Sequence, residues 1–331
     1  MCPPGVDQTE RSPQQWLLYA PELAQRYSFT EEGDGWGTDF NTICSESPNY
    51  LNAWDILARP AHSEMKSAPM KTEGRSGRFH LLSNELIDMI LEYVTEDPVD
   101  TMALGLASER FWYPVSQQIH NSYLKGAAPW ANTKILLQGS YSTTLPPSLL
   151  ESPAVSKVIE WDGSRMPLSR KLFWAGWEFE TTKTLSKVER EWRAAAMMHK
   201  ESSRIPESRW DRLQEQITTS YLFPRDQNWL LRNLTSKEFI SSASPIRRNT
   251  RRSEKSAEGL RFEDVFLMKT LWTTDPPYEQ DGKECDASVW ARHCFDIVTE
   301  AIHKTEGGYG WQDVTAEIER DVAAWKLAWG Y

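Results

Sequence analysis

LLSNELIDMILEYV, residues 81–94, places Leu86, Ile87, Ile90, Leu91 and Val94 on one broad apolar stripe at helical spacing. Glu85, Asp88 and Glu92 fall on the opposite side, joined just beyond the quoted stretch by Thr95. The pattern predicts an amphipathic helix whose first free amides are capped by Ser83 or Asn84. Asp97-Pro98 then stops the chain and restarts it, since Asp caps well and proline suits a first helical turn, where its missing N–H is not needed. The second helix carries Val99, Met102, Ala103 and Leu106 on its main stripe. Leu104 points off that stripe, so apolar groups appear on more than one face. Ser108 is placed to cap a third helix bearing Phe111, Trp112, Val115 and Ile119. Three helices within 79–125 make a unit too small for comfortable independent stability, and apolar side chains beyond its own core imply a covering partner.

Around this module the chain reads as globular. It has 331 residues, 40% of them hydrophobic and 25% charged, enough for two ordinary domains with packed cores. The net charge of -10, from 37 Lys and Arg against 47 Asp and Glu, disfavours nucleic acid as a partner, because acidic surfaces repel phosphate. No apolar run has membrane-spanning length and the first residues do not read as a secretory signal, so no membrane partner is expected. Four scattered cysteines, at 2, 44, 285 and 294, fit a reducing compartment, which points to the cytoplasm or the nucleus.

The sequence divides into three parts. Residues 1–78 form an irregular N-terminal extension with polar, Pro-containing ends that read as mobile, and an aromatic middle, 16–57, that must pack on something else. Residues 79–125 are the helical module. Residues 126–331 carry mixed elements: short strands at 134–137, 156–161 and 294–299, helices at 188–198, 210–217 and 314–329, and a flexible loop near 241–259. No regular βαβ alternation appears, so the class is α+β with a Trp-rich C-terminal domain.

The helical module resembles an F-box. The family's opening motif, a Leu-Pro-x-Glu-Leu followed by Ile-Leu, is matched by Leu82, Glu85, Leu86, Ile90, Leu91 and Val94, with Ser83 standing where the family usually has proline. The later part, a Leu-rich helix ending small-polar-x-Arg-Phe, is matched by Leu104, Leu106, Ala107, Ser108, Arg110, Phe111 and Trp112. Downstream, PWANTKILLQGSYSTTLPPSLL, NWLLRNLTSKEFI, EGLRFEDVFLMKTLWTTD, VWARHCFDIV and GWQDVTAEI look like segments found in filamentous-fungal F-box proteins. The resemblance implies a non-catalytic substrate receptor of an SCF-type ubiquitin ligase. Such a receptor docks a Skp-type adaptor and through it a cullin, while the C-terminal domain recruits a protein target. It also implies that Leu82, Leu86, Ile87, Ile90, Leu91, Val94 and Leu104 serve adaptor binding.

Other constellations have weaker readings. Cys285, His293 and Cys294 match no standard zinc spacing, and buried structural cysteines are the usual case, so no metal or cofactor is expected. Arg247, Arg248, Arg251, Arg252 and Lys255 form either a recognition patch or an ordinary solvated loop. Trp161, Phe173, Trp174, Trp177 and Phe179, part of a set of sixteen tryptophans, line a pocket or fill a core. Gly307-Gly308-Tyr309-Gly310 reads as a turn before the last helix rather than a phosphate cradle. No nucleophile elbow, zinc-protease helix or dinucleotide fingerprint occurs, and no catalytic residue is assigned.

Overall fold

Strand β1, Gln15–Ala20, runs through the middle of a mixed sheet in a computed structural model of the chain. A strand covered on both faces has no wet side to alternate with, and Trp16, Leu17, Leu18, Tyr19 and Ala20 are all buried. β1 pairs antiparallel with β2 (Gln25–Arg26), β3 (Thr38–Asp39) and β4 (Leu136–Gly139). The β1–β4 register runs from Trp16 opposite Gly139 to Tyr19 opposite Leu136. β5 (Glu180–Thr181) lies parallel to β2. A second sheet is built on the hairpin of β6 (Trp229–Asn233) and β7 (Glu238–Ser241), while β8 (Leu271–Trp272) joins the first sheet parallel to β4. β9 (Phe295–Thr299) pairs antiparallel with β6 and β10 (Gln312–Asp313) parallel with β7, giving the order β10-β7-β6-β9. The structure describes residues 14–29, 38–39, 43, 51–62, 64, 81–94, 97–150, 156, 166–203, 207–241, 260–273 and 289–329.

The chain divides into two compact units. The ten strands among the described residues belong to a sheet unit made of residues 1–59, 130–182 and 225–331. Its core includes Leu17, Tyr19, Leu136, Leu145, Leu149, Leu172, Phe173 and Ala291, with Trp177, Phe179 and Trp272 partly buried against them. Its longer helices are Leu168–Gly176, Phe262–Thr270 and Thr315–Trp329. Both sheets mix antiparallel and parallel pairs and no regular βαβ alternation runs through them, so the class is α+β.

The second, helical unit comprises residues 60–129 and 183–224. Among its described residues the α-helices are α1 (Asn84–Val94), α2 (Pro98–Ala107), α3 (Glu109–Gly126), α4 (Leu185–Ser203) and α5 (Glu207–Gln216). α2 packs on both α3 and α4, and α1 rests on α2 and α3. Gly105 makes the α2–α3 crossing close: a Cβ there would stand 2.8 Å from Val115 Cγ1 and 3.1 Å from Trp112 Cε3. Several polar groups inside the unit are paired, although the buried Trp112 Nε1 is not. Trp192 Nε1 donates to Ser122 Oγ at 2.8 Å, Tyr123 Oη to the Ile217 carbonyl at 2.6 Å, and His199 Nε2 to the Val99 carbonyl at 2.8 Å.

These boundaries differ from the expected division into 1–78, 79–125 and 126–331. The N-terminal part supplies the central strand of a sheet instead of an irregular extension, because an unbroken apolar run gives no period-two signal. Residues 183–224 fold with the helical module rather than with the rest of the C-terminal part, because α4 buries Leu185, Val188, Trp192, Ala195 and Ala196. The loop near 241–259 lies almost wholly outside the described residues, as does most of the strand expected at 156–161.

Candidate docking surface

α1 starts at the Ser83 cap, whose Oγ accepts from the Leu86 amide at 3.4 Å. Ser83 also hydrogen-bonds Glu85, which lowers that carboxyl's pKa, helped by Glu85's own backbone amide. Asp97 caps α2 by accepting from Val99 N at 2.7 Å, and Ser108 caps α3 by accepting from Arg110 N at 3.3 Å. Thr101 Oγ1 donates to the Val94 carbonyl at 3.2 Å, tying the end of α1 to α2. At the other end of α1, Arg110 Nη2 donates to Asn84 Oδ1 at 3.2 Å.

The expected stripe of α1 is used on one side only. Ile87 and Leu91 are buried inside the unit, whereas Leu86 is 46% exposed. Leu82, Ile90, Val94 and, on α2, Leu104 are half-buried. Sequence reasoning missed the other members of the open face: Met89 and Tyr93 are 64% and 92% exposed, and Leu81, ahead of the helix, and Tyr113 of α3 are exposed too. At 3.6 residues per turn the apolar arc from Met89 through Leu86 to Leu91 spans roughly 200°, and the unit's interior takes only the Ile87–Leu91 side. The missed signal was the width of the arc: Met89 and Tyr93 extend the stripe, and a helix apolar over more than half its circumference needs cover on two sides. Glu85, Asp88 and Glu92 are exposed, as their spacing predicts.

Seven positions were singled out for adaptor binding, and their burial sorts them. Leu86 is open. Leu82, Ile90, Val94 and Leu104 stand at the margin. Ile87 and Leu91 are turned inward, where they hold α1 in place, because helix geometry puts them about 100° or more round from Leu86. The main stripe expected on α2 also shifts: Met102 is buried along with Thr101 and Gly105, while Val99, Ala103 and Leu106 are half-buried. On α3, Phe111, Trp112, Val115 and Ile119 are all buried.

The remaining constellations lie in the sheet unit. His293 Nδ1 accepts from Asn233 Nδ2 at 2.8 Å, and burial, then the nearby Arg292 charge, lowers its pKa. Burial raises the Cys294 thiol. Cys285 lies outside the described residues, and among those described no three potential ligands gather as a metal site would require. The Arg247–Lys255 patch and Trp161 also lie outside the described residues. Phe173 packs in the core with Trp177 and Phe179 against it, and Trp174 is 43% exposed. Gly307 and Gly310 take positive φ angles of 81° and 84°, as a turn before Thr315–Trp329 demands.

A charged network in the same unit is internally matched. Arg232 forms a two-pronged pair with Asp296, Nε to Oδ1 at 2.8 Å and Nη2 to Oδ2 at 2.7 Å, and also reaches Glu306 at 2.8 Å. Arg59 bonds the same two carboxylates at 3.0 and 2.6 Å. Two cations face two anions, so the cluster reads as a brace rather than a binding site. No described helix is long and apolar enough to cross a membrane. No family model matches the chain, and no curated protein or solved structure does.

Proposed function

We propose that the chain is a docking protein of the F-box type, with residues 79–125 engaging a Skp-type adaptor and through it a cullin. The sheet unit then recruits a protein target for ubiquitin transfer. The open apolar face of α1 carries this reading: Leu86, Met89 and Tyr93 stand exposed on a helix whose other apolar side is already buried. A face of that kind suits insertion into a partner's apolar groove, with large side chains at i, i+3 and i+7 acting as anchors. The chain's role in this reading is non-catalytic. It holds a target so that one of its lysines meets the ubiquitin thioester at high effective concentration, and it acts in the cytoplasm or nucleus.

The direct test is co-expression with a Skp-type adaptor followed by purification and size-exclusion chromatography. Co-elution is expected, and Leu86→Asp with Met89→Asp should abolish it without changing helical content. Separate elution of the unmutated chain sinks the reading. A second reading, an adaptor-binding scaffold that never joins a ligase, is favoured by Ser83 in the place of the family's usual proline. Accumulation of a co-purifying protein on deletion of 79–125 or under proteasome inhibition separates the ligase from the scaffold.

A further inference from the structure

Two arginines of the sheet unit lie on tryptophan rings at the same distance, and only one of them has its charge matched. The guanidinium carbon of Arg232 stands 5.3 Å from the centre of the Trp311 ring, and that of Arg26 stands 5.3 Å from the centre of the Trp177 ring. Arg232 is met by Asp296 at 2.7 Å and by Glu306 at 2.8 Å. Arg26 pairs with no carboxylate among the described residues, and its Nε and Nη1 are shut off from water without an acceptor. The indole Nε1 of Trp177 is in the same condition.

The backbone fixes where Arg26 points. It sits in register with Tyr19 of β1 and with Thr181 of β5, so its side chain leaves the sheet on the face that carries Leu17 and Tyr19. That face is the apolar core of the unit, where the Tyr19 hydroxyl is already given to Gln138. A cation drawn out of water with no anion opposite is destabilising, and folded chains break the pairing rule chiefly where binding supplies the partner. Arg26 and Trp177 are each half-buried, which keeps the pair at the surface of the unit.

Resting on the reading that the sheet unit recruits a protein target, we propose that Arg26 and Trp177 form an oxyanion-recognition site that takes a carboxylate or phosphate group of that target. The guanidinium presents its N–H donors in a planar fork that suits either anion, the indole N–H adds a donor from a second element, and the ring beneath holds the fork flat. The net charge of -10 disfavours the phosphates of nucleic acid as the source.

The test needs no adaptor, so its failure leaves adaptor docking untouched. Thermal unfolding of the full chain is followed in sodium chloride, sodium acetate and sodium phosphate at equal ionic strength. Phosphate stabilises folded proteins in general by exclusion from their surfaces, so the readout is the difference between chains. At least one of the two oxyanions should raise the midpoint of the unmutated chain by about 2 °C more than that of Arg26→Met. The anion with the larger difference tells a phosphate target from a carboxylate one. Trp177→Phe keeps the ring but removes the indole donor, and should lose about half of that difference. In chloride alone, Arg26→Met should melt within about 2 °C of the unmutated chain or above it, because it removes a charge that the chain leaves unmatched. A drop of more than about 5 °C there would show the guanidinium already satisfied inside the fold and overturns the site. An anion response equal in both chains marks an adventitious ion only and overturns it as well, as does no response to either anion.

Discussion

α1 and α3 begin from the same kind of sequence signal and end in opposite situations. Both are capped by a serine and both carry large apolar residues at helical spacing. In α3, Phe111, Trp112, Val115, Ile119 and Tyr123 are all buried, so that stripe is used up by its own unit, with Tyr113 left outside it. In α1 only Ile87 and Leu91 are, and Leu86, Met89 and Tyr93 remain in water. The Arg232 network adds the electrostatic counterpart. There, opposite charges are matched within the unit. A helix whose apolar stripe is wholly buried serves its own unit, and one that leaves part of its apolar arc in water is the kind of face the docking proposal rests on.

The largest effect is expected where matching is complete. Arg232 and Asp296 have side chains 4% and 2% exposed. Arg232→Gln leaves Asp296 charged and buried with fewer partners, at a cost of about 3 to 5 kcal/mol in urea unfolding. A loss below about 1 kcal/mol would mean that Arg59 alone satisfies the carboxylate and that the brace is redundant.

Within α1 the contrast between its two sides is sharper still, because the substitutions are chemically alike. Ile87→Ala should cost about 3 kcal/mol of stability, since the side chain is buried and leaves a cavity. Leu86→Ala should stay within about 0.5 kcal/mol and instead weaken adaptor binding. Equal destabilisation by the two would show that the open face is covered in the folded chain, and the comparison with α3 would fail.

The smallest effect is a pH dependence of the brace. Arg59 first, and Arg232 after it, hold the Glu306 carboxyl down to about 2. A depressed carboxyl contributes stability above its ordinary pKa and loses it as pH falls, so the contribution should fade between about 4.5 and about 2. Much of Glu306 is in contact with water, so screening keeps the change modest. Unfolding midpoints measured through that window should converge for the unmutated chain and Glu306→Gln as the acid end is reached.

Local signals were legible in advance: the helix caps at Ser83, Asp97 and Ser108, the helices near 188–198, 210–217 and 314–329, and the strand near 294–299 all appear within a few residues of their expected places. Each depends on neighbours within a turn or a single strand, and such neighbours are adjacent in the chain. The candidate docking face was half legible. Its stripe was read correctly as amphipathic, but Ile87 and Leu91 could not be told from Leu86 by spacing, because all are large and apolar.

The sequence by itself determined the caps, the periodicities and the long acidic stretch without Lys or Arg around α1, since composition and short-range geometry need no distant partner. Only the tertiary structure decided that Gln15–Ala20 is a central strand, that α4 packs on α2 across some eighty intervening residues, and that Arg232 meets Asp296 sixty-four positions away. It also decided which side of α1 stays in water. Burial is settled by how the chain closes on itself, and closure joins residues whose separation leaves no periodic trace.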